Sequence, residues 1–401
     1  MRNSIRLTLY SFIVIYIAGC SPEDVVIENQ YLKSDILVST FEKDAFKSQI
    51  TNAFGENTSQ VLLFVQSGIE QHRITYKTKD VNGNTILASG AVIIPTDFPN
   101  SSFAIGGLHH GTLINEADAP SYFKLETETS LGAFLASTGI VIGMPDYVGY
   151  GESKNLPHPY EHYRGLAEPG ADFLLAVTEL LKDLNIDWNG TLMLGGYSEG
   201  GYAAMSTQKW IQDNLSDKLQ IKVAVLGAGA YNKTATFRKL VNESSIESIT
   251  NNRSYLWVLE TYREIYGLDR PTSYFFKEPF ASLIEANSFN VEIDLSFDTI
   301  LTDQFKSDFN ANAYPELTAA VAENDIFDWK PNAITKLYHG DSDSFVPFLN
   351  SQTAFEAMQS NGTSDIELIP IKGGDHGSSI GDYFFGILQQ FTIHKNGDQV
   401  Q

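Results

Sequence analysis

The feature that most constrains the fold is an alternation of short apolar runs with helical patterns. The apolar runs are bounded by turn residues and occupy 103–108, 140–144, 192–194, 223–226 and 334–338. Between the second and third runs, apolar residues from 173 to 184 recur at the spacing of one helix face. Before the first run, Asn82-Gly83 separates two strand-like segments, which predicts an opening hairpin. The alternation predicts an α/β fold whose mostly parallel central sheet is covered by helices on both faces.

This alternation is interrupted once. It stops at about Lys233 and resumes at 334, and roughly a hundred residues are too many for a connecting loop in a compact domain. Within the interval, Tyr255, Leu259, Tyr262 and Tyr266 share a helical face. We therefore predict an inserted, largely helical cap. The expected organisation, in chain order, is a signal peptide (1–19), a tether and N-terminal helical segment (20–70), core (71–232), cap (233–332) and core again (333–395).

The first twenty residues have the pattern of an exported lipoprotein. Arg2 and Arg6 precede an uncharged stretch of twelve residues, 7–18, which as a helix would rise about 18 Å, well short of the roughly 30 Å hydrocarbon core. The stretch ends in Ile17-Ala18-Gly19-Cys20, which resembles the bacterial lipobox, where cleavage precedes a cysteine that carries lipid. We expect an anchor at Cys20 in the outer membrane or at the cell surface. The alternative is cleavage near Gly19 that leaves Cys20 as an incidental thiol.

Net charge limits the possible binding partners, and cysteine content limits the possible sources of stability. With 27 Lys and Arg against 49 Asp and Glu, the formal charge is −22, and an acidic surface repels nucleic-acid phosphates. Cys20 is the single cysteine, so the chain cannot form an internal disulfide and its stability must come from its core. We expect a monomer that acts on a small molecule.

A candidate nucleophile lies in Gly196-Tyr197-Ser198-Glu199-Gly200, a G-x-S-x-G sequence. The motif alone is weak evidence for a catalytic serine, but here an apolar strand precedes it and a helical pattern follows it. In a strand-to-helix turn this sharp, the glycines avoid collisions and the serine is held outward. The start of the helix also offers N–H groups and partial positive charge to a developing oxyanion. The alternative is a glycine-rich turn with a surface serine.

A serine hydroxyl needs a base, and the base needs an orienting acid. His376 follows the final predicted strand on a glycine-rich loop, in the order serine, acid, histidine that such folds use. Three aspartates compete for the acid. Asp375 adjoins the histidine, and neighbouring side chains on an extended loop point apart. Asp341 and Asp343 both follow the strand after the cap, and physical reasoning alone does not choose between them.

Taken together, the motifs resemble the secretory lipase family of α/β-hydrolases and its bacterial esterase relatives over about 70–390. The motifs that carry the resemblance, in chain order, are His109-His110-Gly111-Thr112, Pro145-Asp146-Tyr147-Val148-Gly149-Tyr150-Gly151, His158-Pro159-Tyr160, the serine motif with Gly201, and His339-Gly340-x-x-Asp343-x-x-Val346-Pro347. The resemblance implies the α/β-hydrolase fold and Asp343 as the acid. It also implies an oxyanion hole formed by the backbone N–H groups of Glu199 and Thr112. No metal or cofactor is expected, because His109 and His110 diverge on an extended loop and no third ligand is near.

The predicted activity is that of a serine ester hydrolase, an esterase or lipase that works through an acyl-enzyme on Ser198. One alternative is an exopeptidase of the same fold, and another is a carbohydrate acetyl or feruloyl esterase. A catalytically dead binding protein is the remaining alternative, and the complete set of motifs argues against it. The acyl chain and the alcohol are open at this point.

Overall fold

A computed structural model describes residues 29–54, 61–98, 101–124 and 127–397. Its nine-stranded sheet has the order β1-β2-β3-β5-β4-β6-β7-β8-β9. Strands β1, β2, β3 and β5 are joined by antiparallel pairing, and all pairs from β5 through β4 to β9 are parallel. The strands are β1 (Leu32–Phe41), β2 (Ile69–Lys79), β3 (Thr85–Pro95), β4 (Phe103–His109), β5 (Val141–Pro145), β6 (Trp188–Tyr197), β7 (Ile221–Gly227), β8 (Ile334–Gly340) and β9 (Ile366–Ile371).

Helices alternate with these strands along the chain. They are α1 (Lys43–Phe54), α2 (Thr129–Ala136), α3 (Tyr163–Asp183), α4 (Glu199–Asn214), α5 (Lys233–Asn242), α6 (Ile249–Ile265), α7 (Thr272–Phe275), α8 (Phe280–Asn287), α9 (Phe297–Ile300), α10 (Asp303–Asn310), α11 (Pro315–Glu323), α12 (Leu349–Ser360) and α13 (Ile380–His394). The predicted hairpin is confirmed as β2–β3, and Gly83 in its turn has a φ of 82°.

The sheet is buried on both faces, as predicted. Neighbouring residues of one strand belong to different cores: Ile105 of β4 belongs to the core that includes residues of α3, α4 and α12, whereas Ala104 belongs to the core that includes residues of α1, α2 and α13. This alternation is the period of two that a pleated strand imposes. A parallel strand enclosed in this way is apolar on both sides, which explains why the strands appear in the sequence as continuous apolar runs.

Seven helices, α5 to α11, lie between β7 and β8. They have an apolar core of their own, separate from the two cores of the sheet; it includes Leu256, Tyr262, Phe275, Phe305 and Leu317. Many of the aromatic side chains of this segment therefore pack against one another. The helical insertion is thus an element with its own interior, and it occupies the interval predicted for the cap.

The N-terminal segment differs from the prediction. An N-terminal helix is present as α1, but Leu32–Phe41 forms strand β1 at the edge of the sheet, where no strand was predicted. Most β1 side chains are exposed, including Ile36, Leu37 and Val38, so β1 has no buried alternating face to signal a strand. The predicted signal peptide and Cys20 lie outside the described residues. Within those residues, no helix combines the length and apolar character needed to cross a bilayer.

Candidate active site

Ser198 occupies the turn between β6 and α4. Its φ of 60° and ψ of −124° are unusual for a residue with a side chain, and the turn leaves no room for a side chain two residues before or two residues after the serine. A Cβ on Gly196 would lie 2.1 Å from the carbonyl oxygen of Gly200, and a Cβ on Gly200 would lie 2.1 Å from that of His109. The two glycines therefore allow the strained conformation that turns the serine outward.

His376 lies on the loop that follows β9, and its ring bridges two other side chains. Nε2 is 2.8 Å from the Ser198 hydroxyl oxygen, and Nδ1 is 2.6 Å from Oδ2 of Asp343. The Tyr197 hydroxyl donates to the His376 carbonyl oxygen at 2.7 Å and so ties the loop to β6. If Nδ1–H donates to Asp343, Nε2 is free to accept the serine proton.

Asp343 is the carboxylate that the fold brings to His376. Its Oδ1 accepts the N–H groups of Phe345 and Val346, both at 3.0 Å, which orients Oδ2 toward the ring. Burial acts to raise the pKa of Asp343, but hydrogen bonds from His339 and His376 outweigh it and lower the pKa to about 2. Asp343 is therefore an anion at any ordinary pH.

The other two aspartates accept backbone N–H groups of the loop after β9. Asp341 accepts the N–H of Gly373 at 2.7 Å, and Asp375 accepts the N–H groups of Gly377 and Ser378 at 3.0 and 2.8 Å. Neither makes a hydrogen bond to the His376 ring among the described residues. The geometry therefore distinguishes Asp343, which contacts the His376 ring, from Asp341, a choice that physical reasoning on the sequence left open.

Glu199 is the first residue of α4, so its backbone N–H has no intrahelical partner. Thr112 lies on the loop after β4. This loop borders the start of α4, because a Cβ on Gly200 would meet the carbonyl oxygens of both His109 and His110. The structure therefore places both predicted oxyanion donors on backbone segments that meet beside Ser198.

Side chains hold the Thr112 loop in place. The hydroxyls of Tyr147 and Tyr150 donate to the carbonyl oxygens of His110 and Leu113, at 2.9 and 2.7 Å. The Thr112 hydroxyl lies 2.8 Å from the hydroxyl of Tyr160. These contacts fix the backbone on either side of Thr112, which is what a preorganised N–H donor requires.

The side chain of Glu199 makes a contact that sequence reasoning missed. It is 1% exposed, and its Oε1 lies 2.7 Å from Nε2 of His158, whose Nδ1 lies 2.8 Å from the Val148 carbonyl oxygen. A charged residue directly after the nucleophile, at the start of a helix whose first turns are otherwise uncharged, was the available signal. Its partner 41 residues away was not apparent from the sequence.

The paired histidines after β4 do not converge on a common point. The His110 ring contacts the carbonyl oxygens of Gly111 and Asp146. The ring nitrogens of His109 have no hydrogen-bond partner in the described chain, and burial, with a smaller effect of His110, lowers the pKa of His109 to about 3. The described residues contain no group of three or more His, Cys, Asp or Glu side chains arranged to hold a metal ion.

A cavity opens beside Ser198, which is one of its lining residues. One wall comes from α5 and α6, through Phe237, Leu240, Tyr255 and Val258, and Phe345 and Val346 line it beside Asp343. Two charged side chains, Glu161 and Lys233, also line it. The helical insertion therefore lies over the serine and forms much of the space that a substrate would enter.

A mostly parallel sheet with helices on both faces, a strand–serine–helix turn and a helical insertion before the last two strands define the α/β-hydrolase class. The chain belongs to the secretory lipase family, whose sequence model matches residues 119–380. A search of curated protein sequences found no match.

Solved structures of similar fold include a candidate hydrolase from Legionella pneumophila, with a TM-score of 0.79 at 20% identity, covering 93% of this chain and 100% of that one. The rice cell wall degrading esterase LipA from Xanthomonas oryzae has a TM-score of 0.74 at 24% identity, over 90% and 96% of the two chains. Candida antarctica lipase A in its closed state has a TM-score of 0.61 at 13% identity, over 90% and 83%. At these identities the likeness concerns the fold alone.

Proposed function

We propose that this protein is a serine hydrolase that cleaves carboxylic esters through an acyl-enzyme on Ser198. The observation that carries the proposal is the continuous hydrogen-bonded series from the Ser198 hydroxyl through the His376 ring to Asp343. A hydroxyl in contact with a ring nitrogen, backed by a carboxylate on the other ring nitrogen, is the arrangement that activates serine as a nucleophile. Membership of the secretory lipase family supports an ester as substrate.

The proposed reaction begins when Ser198 Oγ attacks the ester carbonyl carbon and His376 Nε2 takes the serine proton. Asp343 keeps the Nδ1 proton in place and stabilises the imidazolium that forms. The N–H groups of Glu199 and Thr112 bind the oxyanion. His376 then gives its proton to the departing alcohol, and water, activated by the same ring, releases the acid from Ser198. These steps require no metal and no cofactor.

The cavity supports a substrate with an apolar portion. Six of its lining side chains are the aromatic and aliphatic groups named above from α5, α6 and the segment after β8. Each methylene that the substrate buries there adds about 0.8 kcal/mol to transition-state binding. An esterase or lipase specificity for neutral, partly apolar esters follows from this lining.

The reaction class is tested by assaying the purified protein on simple esters, on aminoacyl amides of matched size, and on acetylated sugars and feruloyl esters. We expect hydrolysis of the simple esters and no release from the amides. Turnover of amides in preference to esters would contradict the proposal and indicate an exopeptidase. Turnover confined to acetylated sugars or feruloyl esters would instead place the enzyme among the carbohydrate esterases.

We also propose that the chain is exported and held at the outer membrane or cell surface by lipid on Cys20. The basic head, the short apolar stretch and the lipobox-like ending support this, as does the secretory character of the family. Growth with labelled palmitate should mark the wild-type protein and leave Cys20→Ala unlabelled. Label that persists in the variant would contradict the anchor.

A further inference from the structure

Two opposite charges meet inside the cavity that contains Ser198. Lys233 is 1% exposed and Glu161 is 7% exposed, and the ammonium of Lys233 contacts a carboxylate oxygen, Oε2, of Glu161. The same ammonium lies 4.3 Å from the centre of the Tyr202 ring. Both side chains line the cavity with Ser198 and the apolar groups of α5 and α6. An ion pair therefore forms part of the wall of an otherwise largely apolar substrate cavity.

The backbone around this pair is held in an unusual geometry. Glu161 has a φ of 48°, in the left-handed region that disfavours residues with a side chain, and its carbonyl oxygen accepts the Tyr262 hydroxyl at 3.0 Å. Lys233 begins α5, directly after Asn232, which caps the helix by accepting the N–H of Ala235. Strain of this kind persists where the surrounding structure fixes it, and it is concentrated at functional sites.

Stability alone gives little reason for a buried ion pair here, because well-packed apolar residues often replace such pairs without loss. Burial lowers the pKa of Lys233, and the charge of Glu161 opposes that shift. The charges of Asp325 and Glu199 also act on Lys233, but neither carboxylate accepts a hydrogen bond from its ammonium among the described residues. The two carboxylate oxygens of Asp325 accept the N–H and the hydroxyl of Thr234. The carboxylate in direct contact with the Lys233 ammonium is that of Glu161.

The pair retains unused hydrogen-bonding capacity. An ammonium has three donors, and among the described residues Glu161 is the one hydrogen-bond acceptor of the Lys233 ammonium. The second carboxylate oxygen of Glu161, Oε1, accepts no hydrogen bond from any described residue. The wall of the cavity thus offers a donor and an acceptor side by side. A hydroxyl can use both at once, since it donates one hydrogen bond and accepts others.

We propose that the Glu161–Lys233 pair recognises a hydroxyl group on the part of the ester that occupies this cavity. The hydroxyl donates to Glu161 and accepts from Lys233, while the rest of that part contacts the apolar walls. A substrate carboxylate would be repelled by Glu161, and a substrate ammonium by Lys233, so a neutral group fits the pair best. This inference names the substrate class of the proposed ester hydrolase and rests on that function.

The test compares kcat/KM for esters that differ by one hydroxyl. One series places the hydroxyl on the acyl part and consists of two pairs. The first pair is ethyl hexanoate and ethyl 6-hydroxyhexanoate, and the second is ethyl 3-phenylpropanoate and ethyl 3-(4-hydroxyphenyl)propanoate. The other places it on the alcohol, as in hexyl butyrate against the monobutyrate of hexane-1,6-diol. Methyl ethers of the hydroxylated members keep the bulk and remove the donor. In at least one series the wild type should prefer the hydroxylated member by about tenfold or more, because a site built to bond a hydroxyl discriminates strongly against its absence.

The Glu161→Met/Lys233→Met double variant removes both charges and both hydrogen-bonding groups together and should bring this ratio to about one. The matched control is Lys239→Met/Glu243→Met, which removes an exposed Lys–Glu pair at the C-terminal end of α5 and should leave the ratio unchanged. Equal rates for hydroxylated and plain esters in the wild type overturn the proposal without any variant. A ratio that survives in a folded double variant also overturns it. Failure to hydrolyse every ester would instead contradict the proposed function itself.

Discussion

At the scale of single residues, Asp343 illustrates how local bonds select one carboxylate from three. The N–H groups of Phe345 and Val346 hold one of its oxygens and leave the other for His376. Asp341, two residues earlier, has its carboxylate turned to Gly373. A difference of two positions on one loop therefore separates an acid that orients the base from one that supports a turn.

We expect Asp343→Asn to lower kcat by a factor approaching about 10⁴, because an amide cannot hold the His376 proton on Nδ1. Asp341→Asn, the matched control on the same loop, should lower kcat only slightly. Steady-state kinetics on one ester at pH 7, with melting temperatures to show that both variants fold, measure the difference. Equal small effects, or the reverse order, would mean that Asp343 is not the orienting acid.

Some site residues could be predicted from the sequence, and others could not. Ser198 and His376 follow from motif spacing and chain order, whereas Asp343 required the family resemblance, because spacing treats Asp341 and Asp343 alike. The contacts of Glu199 with His158 and of Lys233 with Glu161 join residues 41 and 72 positions apart. Such pairs depend on how the cap and the loops fold back over the sheet, and the periodicity of the sequence does not predict this arrangement.

At the scale of elements, the turn between β6 and α4 sets the position of the nucleophile. It admits no Cβ at Gly196 or Gly200, because backbone oxygens lie 2.1 Å from where each Cβ would be. The G-x-S-x-G spacing predicted this element well, since the steric requirement is local. Edge strand β1 was missed for the opposite reason, because its pairing with β2 is long-range and its side chains are mostly exposed.

Gly200→Ala should destabilise the protein by at least about 2 kcal/mol, because a methyl group at this point overlaps the backbone of His109 and forces it to shift. Gly381→Ala is the matched control, since a Cβ there meets nothing within 4 Å and Gly381 lies in α13. It should change the free energy of unfolding by less than about 1 kcal/mol. Urea unfolding of the two variants tests this, and equal stabilities would contradict the steric account of the turn.

At the scale of the whole molecule, the two-faced burial of the sheet is what the sequence predicted best. Each parallel strand is apolar on both sides, so it can be recognised in the sequence as a continuous run of apolar residues. Burial also has a consequence for acid stability. His109 is enclosed between the sheet and α3, and burial lowers its pKa to about 3 from an ordinary 6.5. Between these values the unfolded chain binds a proton that the folded protein does not.

Protonation of His109 in the unfolded chain should therefore lower the free energy of unfolding as the pH falls below 6.5. Above that pH, His109 causes no such loss of stability. The contribution of one such histidine is about 1.4 kcal/mol per pH unit across this window. His109→Asn removes it, so the variant should lose less stability than the wild type between pH 6.5 and pH 4. The measurement is the urea unfolding free energy of both proteins at several pH values. Parallel curves would show that His109 is not buried in its neutral form.

Ser198 and His376 should perform ester hydrolysis together, and the most direct test is the measurement of kcat/KM for a simple ester in three variants. Ser198→Ala and His376→Ala should each reduce turnover by a factor on the order of 10⁶, because removal of either member disables the whole unit. Ser360→Ala, an exposed serine at the end of α12, should retain wild-type activity. If either Ser198→Ala or His376→Ala folds and keeps more than about a tenth of the wild-type rate, the proposed mechanism is contradicted.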